Sequence, residues 1–505
     1  MTETDIPPRL STGIEGLDAI LGGGLHPGSI TIVAGRPGAG KTILSSQMVF
    51  AHAKRGGRAV YATLLAETHE RLLAQLRTLS FFAPEHVGKE VVYLNGLSAI
   101  LEGGLGELLQ LVRGMVRDHQ ASLLVLDGIV TASALAPSQV DYKRFISELQ
   151  TWVAVVGCTV LLVASGETDH PGSAERTMVD GIIELTTERV NLRTFRQLSV
   201  TKLRGSAFVE GAHLYLITPD GLRVYPRFEA RPMPPPAAVG AGSAKLGTGV
   251  PGLDAIIGGG LVTGSTTLLL APSGCGKTVL GLQFLAEGAR RGERVLYFGL
   301  FEQPSLVASK GDRLGLGVTA AAEDGRFLVE WRRPSEIHLD ALADELLGII
   351  RREKITRVLF DGLASLHASA QPDRIAPVFA TLAGGILAEG ATMVVTDETR
   401  ELFVQDVEVP TPFVSALFHN ILFLRRVETE DGRLVASLAV MKTRDSGHDC
   451  RLWDFEITDR GVVVTAPRPH DGGRTLQSGA ASSRKPKAST KKRRASSAKR
   501  KRRTR

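Results

Sequence analysis

The amino-acid sequence predicts a protein of the α/β class with two similar domains, each a mainly parallel sheet flanked by helices. The decapeptide at residues 16–25, GLDAILGGGL, returns at 252–261 with nine of ten positions identical, and the spacing of 236 residues holds as far as residue 278. A shared register over this length indicates duplication of a whole domain. Each copy then alternates short apolar runs with helix-like segments, which is typical of parallel sheets covered on both faces.

The elements of each copy follow the same order. Runs rich in aliphatic residues predict strands, and in the first copy they occupy 29–34, 58–65, 122–127 and 159–164. Apolar residues at helical spacing predict helices at 43–54, 67–79, 105–119 and 145–156. The second copy repeats the pattern with strands at 294–299, 357–361 and 392–396 and a helix at 339–351. Residues 196–202 and 435–442 alternate in polarity, as antiparallel edge hairpins do.

Composition sets the domain boundaries. We predict a first domain at 1–228, a linker rich in Pro, Ala and Gly at 229–244, a second domain at 245–466 and a disordered tail at 467–505. Thirteen Lys or Arg and no acidic residue lie between 484 and 505, so the rest of the chain carries −6 against +7 for the whole. The basic segment 484–505 is therefore a candidate contact for nucleic acid or another polyanion.

Several classes of protein are disfavoured. No apolar run reaches the roughly 18 residues that a membrane span needs, and the acidic N-terminus lacks the apolar core of a secretory signal. The cysteines at 158, 275 and 450 are far apart and follow no zinc-binding spacing. We therefore expect a protein of the reducing cytoplasm without a structural zinc site.

The strongest local signal is a glycine-rich loop between a predicted strand and a predicted helix. We call residues 35–42 the first phosphate loop, because they fit G-x-x-x-x-G-K-[ST] at every position. Glycines let backbone N–H groups close on phosphates, and the helix N-terminus adds partial positive charge. Lysine would reach the β- and γ-phosphates, and threonine would hold magnesium. The predicted nucleotide-binding residues are Gly35, Arg36, Pro37, Gly38, Ala39, Gly40, Lys41 and Thr42.

The second phosphate loop, residues 271–278, has alanine where the motif begins with glycine. Its remaining glycines, lysine and threonine are intact, so we expect nucleotide binding here as well. The predicted binding residues are Ser273, Gly274, Cys275, Gly276, Lys277 and Thr278. For Cys275 two interpretations are open, an oxidant-sensitive thiol at a helix N-terminus or a small residue that fits the loop.

One carboxylate closes an apolar strand after each loop. Asp127 and Asp361 would lie at the carboxyl edge of the sheet beside the loops and hold magnesium through water. A solvated aspartate at a strand end is the alternative. Recurrence in both copies favours the metal role.

These motifs together resemble the KaiC family, whose members are tandem RecA-type P-loop ATPases. The resemblance covers residues 9–465 and rests on the G-L-D-x-I lead-in, both phosphate loops, both aspartate-ending strands and the segments 201–205 and 441–445. It implies two RecA-like nucleotide-hydrolysing domains. It also implies a homohexameric double ring with ATP and Mg²⁺ at subunit interfaces.

The resemblance also assigns a pair of adjacent glutamates that activate the attacking water or hydroxyl. In this sequence the first copy has Ala66 and Glu67, and the second has Glu302 and Gln303. Each site therefore keeps one candidate base, Glu67 or Glu302, and Glu302 is also a candidate metal ligand. The alternative is a surface glutamate that opens a helix, where the helix dipole favours it.

A Lys-x-Arg pair recurs at the end of a predicted edge strand in each copy. Lys202 with Arg204, and Lys442 with Arg444, would lie on one face of their strands because alternate residues share a face. In the KaiC family such a pair acts on the γ-phosphate of the neighbouring subunit. A solvated strand face is the alternative.

The resemblance leaves the biological role open. The family's clock member phosphorylates an adjacent Ser-Thr pair, and this sequence has Ser415 followed by Ala416. Ser415 is either a phosphoacceptor or a small residue at a subunit contact. Three functions remain: a signalling or timing ATPase that is also an autokinase, a RecA-like nucleic-acid-associated ATPase tethered by its tail, and a nucleotide-gated scaffold. The protein partner in signalling is unknown.

Overall fold

The computed structural model describes most of the chain outside its two ends. The described residues are 8–66, 68–166, 174–190, 193–232, 244–334, 337–369, 372–399, 417–428, 433–444 and 447–465. Glu67, Ser415 and the basic tail lie outside them. No helix in this part of the chain is long and apolar enough to cross a membrane.

The first half begins with a short helix and then alternates strands and helices. Its elements are α1 (Leu17–Ile20), β1 (Ile30–Gly35), α2 (Lys41–Lys54), β2 (Ala59–Thr63), α3 (His69–Leu76), β3 (Val91–Asn95), α4 (Leu97–Asp118), β4 (Leu123–Asp127), α5 (Ile129–Leu135), α6 (Gln139–Val156), β5 (Thr159–Ser165), α7 (Ala174–Met178), β6 (Gly181–Val190), β7 (Arg193–Leu203), β8 (His213–Thr218) and β9 (Gly221–Tyr225). A 3-10 turn, Phe228–Ala230, follows.

The second half repeats this order. Its elements are β10 (Lys245–Leu246), α8 (Pro251–Ile256), β11 (Leu261–Val262), β12 (Thr266–Ala271), α9 (Lys277–Arg290), β13 (Val295–Gly299), α10 (Pro304–Arg313), α11 (Val318–Glu323), β14 (Phe327–Trp331), α12 (Leu339–Glu353), β15 (Arg357–Asp361), α13 (Leu363–Ser369), α14 (Pro372–Ala388), β16 (Thr392–Glu398), β17 (Asn420–Glu428), β18 (Leu434–Thr443), β19 (Trp453–Thr458) and β20 (Gly461–Thr465).

Each half contains one nine-stranded sheet. The first has the strand order β3-β2-β4-β5-β1-β6-β7-β8-β9, and the second has the equivalent order β14-β13-β15-β16-β12-β17-β18-β19-β20. The first six strands of each are parallel and the last three continue antiparallel. This confirms the predicted α/β class and the two mainly parallel sheets. β1, α2 and β2 begin 236 residues before β12, α9 and β13, as the sequence repeat requires.

Both faces of the parallel strands are buried, which explains their continuous apolar sequences. In β1, Ile30 and Ile32 pack into one core layer while Val33 packs into the other. α4 spans Leu97–Asp118, but the non-helical residue Gly104 divides it, so the part after Gly104 matches the helix predicted at 105–119. The strands thus hold the loops at their carboxyl ends between two packed helix layers.

The two halves share a packed seam. Phe228 belongs to the predicted first domain, yet its side chain is fully buried in a core layer of the second half. Its backbone N–H donates to Asp340 Oδ1 at 2.9 Å, and Arg374 bridges Asp340 to Glu229. The first residues of the predicted linker are therefore packed against α12 and α14.

Candidate functional site

The first candidate site lies where β1 turns into α2 at the carboxyl edge of the first sheet. Lys41 opens α2, and its Nζ donates to the carbonyl oxygens of Gly35 at 2.8 Å and Arg36 at 3.0 Å. Burial lowers the pKa of Lys41, and the charge of Asp127 opposes that shift. The lysine is thus folded back along its own loop beside a carboxylate.

The predicted magnesium residues of this half meet although 85 residues separate them. Thr42 Oγ1 lies 3.4 Å from Asp127 Oδ2, and the Tyr61 hydroxyl donates to the same oxygen at 2.8 Å. Asp127 is buried at the end of β4. Tyr61 is fully buried, which raises its pKa and keeps the phenol protonated as a donor.

The first phosphate loop needs its glycines for conformation and for space. Gly38 has φ 82° and Gly40 has φ 93°, which favour glycine. A Cβ on Gly40 would lie 2.9 Å from Ile217 Cδ1. From β8, Tyr215 donates its hydroxyl to the Ala39 carbonyl at 2.6 Å. The antiparallel part of the sheet therefore contacts the phosphate loop directly through β8.

The second site repeats this geometry, but its aspartate lies closer to the threonine of the loop. Lys277 Nζ donates to the carbonyl oxygens of Ala271 and Pro272 at 2.9 Å each. Thr278 Oγ1 and the Tyr297 hydroxyl both donate to Asp361 Oδ2 at 2.9 Å. Thr396 on β16 donates to the other carboxylate oxygen.

Strand register explains why alanine is tolerated at the start of the second loop. In the first half, Gly35 pairs with Leu185, and a Cβ on Gly35 would lie 2.5 Å from the Leu185 carbonyl oxygen. In the second half, pairing between β12 and β17 ends one position earlier, at Leu270 with Phe423. Ala271 therefore has no paired residue on β17 for its methyl group to meet, although it still pairs with Glu398 on β16.

An open cleft of about 520 Å³ faces the second phosphate loop. Its lining includes Ser273, Gly274, Gly276, Lys277, Thr278, Glu302, Lys310, Asp361 and Glu398. Glu302 forms an ion pair with Lys310 through one oxygen. The other oxygen is buried and has no hydrogen-bond partner among the described residues. This oxygen is suited to act as a base or as a ligand toward a bound molecule.

Cys275 does not face the cleft. It is 2% exposed and packs in an apolar core layer with Leu280. Among the predicted residues of the first loop, Ala39 is likewise buried, whereas Arg36, Pro37 and Gly38 are exposed. Burial of the thiol favours the interpretation of Cys275 as a small residue that fits the loop.

The Lys-x-Arg pairs lie away from the phosphate loops of their own halves. Arg204 and Arg444 each follow the last residue of an antiparallel strand, β7 or β18, instead of lying within it. Arg204 N bonds to the Asp180 carbonyl, and Asp180 N bonds to the carbonyl of Ile30, the first residue of β1. The loop begins at Gly35, roughly 16 Å farther along that strand at 3.3 Å per residue.

Each pair is held by backbone carbonyls at this amino edge. Lys202 donates to the Arg176 and Thr177 carbonyls at 3.0 Å, and Arg204 donates to the Thr177 carbonyl at 3.1 Å. In the second half, Lys442 donates to the Phe418 carbonyl at 2.9 Å. Arg444 is placed like Arg204, because its N–H bonds to the His419 carbonyl and His419 N bonds to that of Thr266 in β12.

Several polar residues of the two sites were not predicted from the sequence. Tyr61 and Tyr297 hold the aspartates, Thr396 holds the second oxygen of Asp361, and Glu398 lies beside Lys277. The two tyrosines stand 236 residues apart, so the repeat register contained a signal for them. Thr396 and Glu398 have no such signal, because the first half has different residues there.

Comparisons with known proteins agree with this geometry. A family model described as "ATPase: KaiC" matches residues 10–229 and again 246–468. The Circadian clock oscillator protein KaiC of Picosynechococcus sp. is 24% identical over 475 residues, which cover 90% of this chain and 89% of that protein. The Circadian clock protein KaiC3 of Synechocystis sp. is 25% identical over 481 residues, which cover 92% of this chain and 93% of that protein.

Proposed function

The chain belongs to the KaiC family of tandem ATPases, and from this premise we propose that both halves bind MgATP and hydrolyse it at subunit interfaces of a homohexamer. The observation that carries the proposal is the repeated convergence of loop lysine, helix threonine and strand-end aspartate. Thr42 meets Asp127 in one half, and Thr278 meets Asp361 in the other.

The residues present fit a magnesium nucleotide. Cβ atoms on Gly40 and Gly276 would lie 2.9 Å and 2.8 Å from isoleucine side chains, so only glycine leaves the loop backbone free to surround phosphate. Thr278 and Asp361 would hold Mg²⁺, as would Thr42 and Asp127. When bound, the metal neutralises charge on the β- and γ-phosphates.

The remaining roles, phosphate binding and activation of water, belong to lysine and glutamate side chains of this chain. Lys41 and Lys277 would turn from their loop carbonyls to the phosphates. Glu302 would orient the attacking water with its unpartnered oxygen and accept a proton there. The same role is proposed for Glu67 in the first half by analogy of position.

The amino-edge position of the Lys-x-Arg pairs supports subunit interfaces as the site of hydrolysis. Arg204 lies beside the first residue of β1, whereas the phosphate loop begins at the last residue of that strand. Its side chain is therefore too far from Gly35 to reach a phosphate bound in its own half. A neighbouring chain can bring its pair to that phosphate. Each site would then be complete only in an assembly, as in an arginine-finger mechanism.

Complementation between two inactive chains tests this proposal. Both chains carry Lys277→Ala to silence the second site; one adds Lys41→Ala, and the other adds Lys202→Ala with Arg204→Ala. Each alone should be inactive, and mixing should restore part of the ATPase activity, because some interfaces join an intact loop to an intact pair. Activity of the second chain alone, or no recovery in mixed hexamers verified by mass, would contradict the interface mechanism.

The same proposal includes a regulatory role in the cytoplasm. The comparison proteins are named as circadian clock proteins, and we propose for this chain an ATPase that signals through its assembly state. Autophosphorylation of Ser415 is a finer proposal that the sequence motif alone supports. Phosphopeptide mapping after incubation with ATP tests it, with Ser415→Ala as the control. The comparisons do not favour the nucleic-acid alternative.

A further inference from the structure

The two nucleotide sites differ at the end of one strand. In the first sheet, Gly35 pairs with Ser165, the last residue of β5. In the second sheet, the equivalent pair is Ala271 with Glu398, the last residue of β16. A neutral hydroxyl in one site is therefore replaced by a carboxylate in the other, beside the same turn of the phosphate loop.

This carboxylate faces the phosphate-binding lysine. Glu398 Oε1 lies 3.5 Å from Lys277 Nζ, while the lysine side chain is only 9% exposed and is fixed by two loop carbonyls. The Glu398 side chain is 45% exposed, so it can turn toward water. The second site thus contains an anion close to where a phosphate oxygen would bind.

We propose that Glu398 sets the nucleotide affinity of the second site by competing with phosphate for Lys277. The inference rests on the proposed function of that site. A bound phosphate must either displace the carboxylate or accept its repulsion, and both cost binding free energy. Among the described residues of the first half, the residue paired with the start of the loop is Ser165, which carries no charge. The first half therefore fills at lower ATP concentration than the second.

The surroundings of Glu398 strengthen this effect. Glu302, Asp361 and Asp397 line the same cleft, and Lys310 is already paired with Glu302. Lys277, the lysine of the phosphate loop, is thus within ion-pair distance of Glu398. Removing the charge of Glu398 frees that lysine without changing the loop.

Reciprocal substitutions test the proposal on the full chain. In a Lys41→Ala background, only the second site binds a fluorescent ATP analogue in the presence of Mg²⁺. Glu398→Ser and the equal-sized Glu398→Gln should each lower its dissociation constant by about three- to fivefold, the effect expected of a partly exposed ion pair. In a Lys277→Ala background, Ser165→Glu should raise the dissociation constant of the first site by a similar factor.

Each outcome decides the question. An unchanged dissociation constant in Glu398→Gln overturns the inference, and weaker binding overturns it in favour of a role in holding magnesium. Thermal unfolding of each variant verifies that it is folded, and Glu398→Gln keeps the side-chain volume should Glu398→Ser fail this check. If neither the Lys41→Ala nor the Lys277→Ala chain binds the analogue, the proposed function fails instead.

Discussion

At the scale of single residues, the two sites share a threonine, a tyrosine and an aspartate but differ in a further side chain that bonds to the aspartate. Asp127 accepts from Tyr61 and lies near Thr42, whereas Asp361 is held at both oxygens because Thr396 adds a third donor. β4 pairs Asp127 with Val163, and β15 pairs Asp361 with Thr396. A valine cannot donate, so the bond from the Thr396 hydroxyl to Asp361 has no counterpart at this pairing position of the first half.

The candidate bases should affect hydrolysis and leave binding intact. Glu302→Gln in a Lys41→Ala background should lower turnover by about 10²–10⁴-fold, the range for loss of a general base. Glu67→Gln in a Lys277→Ala background should act likewise on the first half. Turnover and nucleotide binding are measured on the same samples.

The control for these variants is Glu389→Gln, which changes a carboxylate paired with Arg351 on the surface of the second half. It should leave turnover unchanged in both backgrounds. Turnover of Glu302→Gln equal to that of its parent would show that Glu302 is not the base. Loss of nucleotide binding would instead assign it to the binding machinery.

At the scale of elements, β15 is anchored at one end and carries the metal aspartate at the other. Arg357 begins the strand and is completely buried. It forms hydrogen bonds with both oxygens of Glu293 at 2.7 and 2.8 Å and stacks over Phe284, 4.9 Å from the ring centroid. The hydrogen bond from Arg357 lowers the pKa of Glu293. Asp361 lies four residues farther along the strand.

Breaking this anchor should destabilise the second half. Glu293→Gln leaves a buried guanidinium without its countercharge, and we expect a loss of about 1–3 kcal/mol, as for a hydrogen bond to a charged group. Because the folded pKa of Glu293 is depressed, its contribution is present above the unfolded value near 4.3 and is lost as pH falls through the folded pKa.

Thermal unfolding across pH measures this contribution. The difference in midpoint between wild type and Glu293→Gln should be largest near neutral pH and should shrink in acid. Glu353→Gln is the control, because it removes the partner of the half-exposed Arg294 and should leave the midpoint unchanged. Equal midpoints of wild type and Glu293→Gln at neutral pH would rule out the anchor.

At the scale of the whole molecule, a polar cluster and a buried ring join the two halves. Asp340 accepts from Phe228 N and from Arg374, and Arg374 also bonds to Glu229. These contacts hold the pKa of Glu229 below its usual value despite its partial burial. α14, which carries Arg374, follows Asp361 by eleven positions. The seam is therefore close in sequence to the second nucleotide site.

Assembly should depend on nucleotide, because each Lys-x-Arg pair would complete a neighbour's site. We expect small species without nucleotide and a hexamer with a slowly hydrolysed ATP analogue, measured by light scattering. Lys41→Ala with Lys277→Ala is the control that should stay small in both conditions. Identical masses of the wild type with and without the analogue would count against nucleotide-dependent assembly.

The segment 484–505 should bind polyanions without sequence preference. Its thirteen cations have no aromatic neighbours to stack on bases, so affinity should fall steeply with salt through counterion release. Deletion of 467–505 should abolish retention of DNA or RNA at low salt and leave ATPase activity unchanged. A tail with Gln at all thirteen positions separates charge from length. Retention by the deleted chain at every salt concentration would exclude this segment as the contact.

Local sequence was enough to predict the sheets and the two loops. Lys41, Thr42, Lys277 and Thr278 follow strands by a few residues, so one continuous pattern specifies strand, turn and helix. The apolar runs that end in Asp127 and Asp361 could be placed at the same sheet edge, because parallel strands bring their carboxyl ends together. Alternation also predicted the antiparallel strands β7 and β18, but both lie inside their sheets and not at an edge.

Only the tertiary structure decided which distant side chains meet. Tyr61, Thr396 and Glu398 lie on separate strands, and their contacts with the sites depend on strand order and register, which no local pattern encodes. The same holds for Phe228, whose ring lies in the core of the other half although its sequence position predicted the end of a domain. Burial of such groups is set by packing between elements far apart in the chain, and this packing makes two similar loops into two different sites.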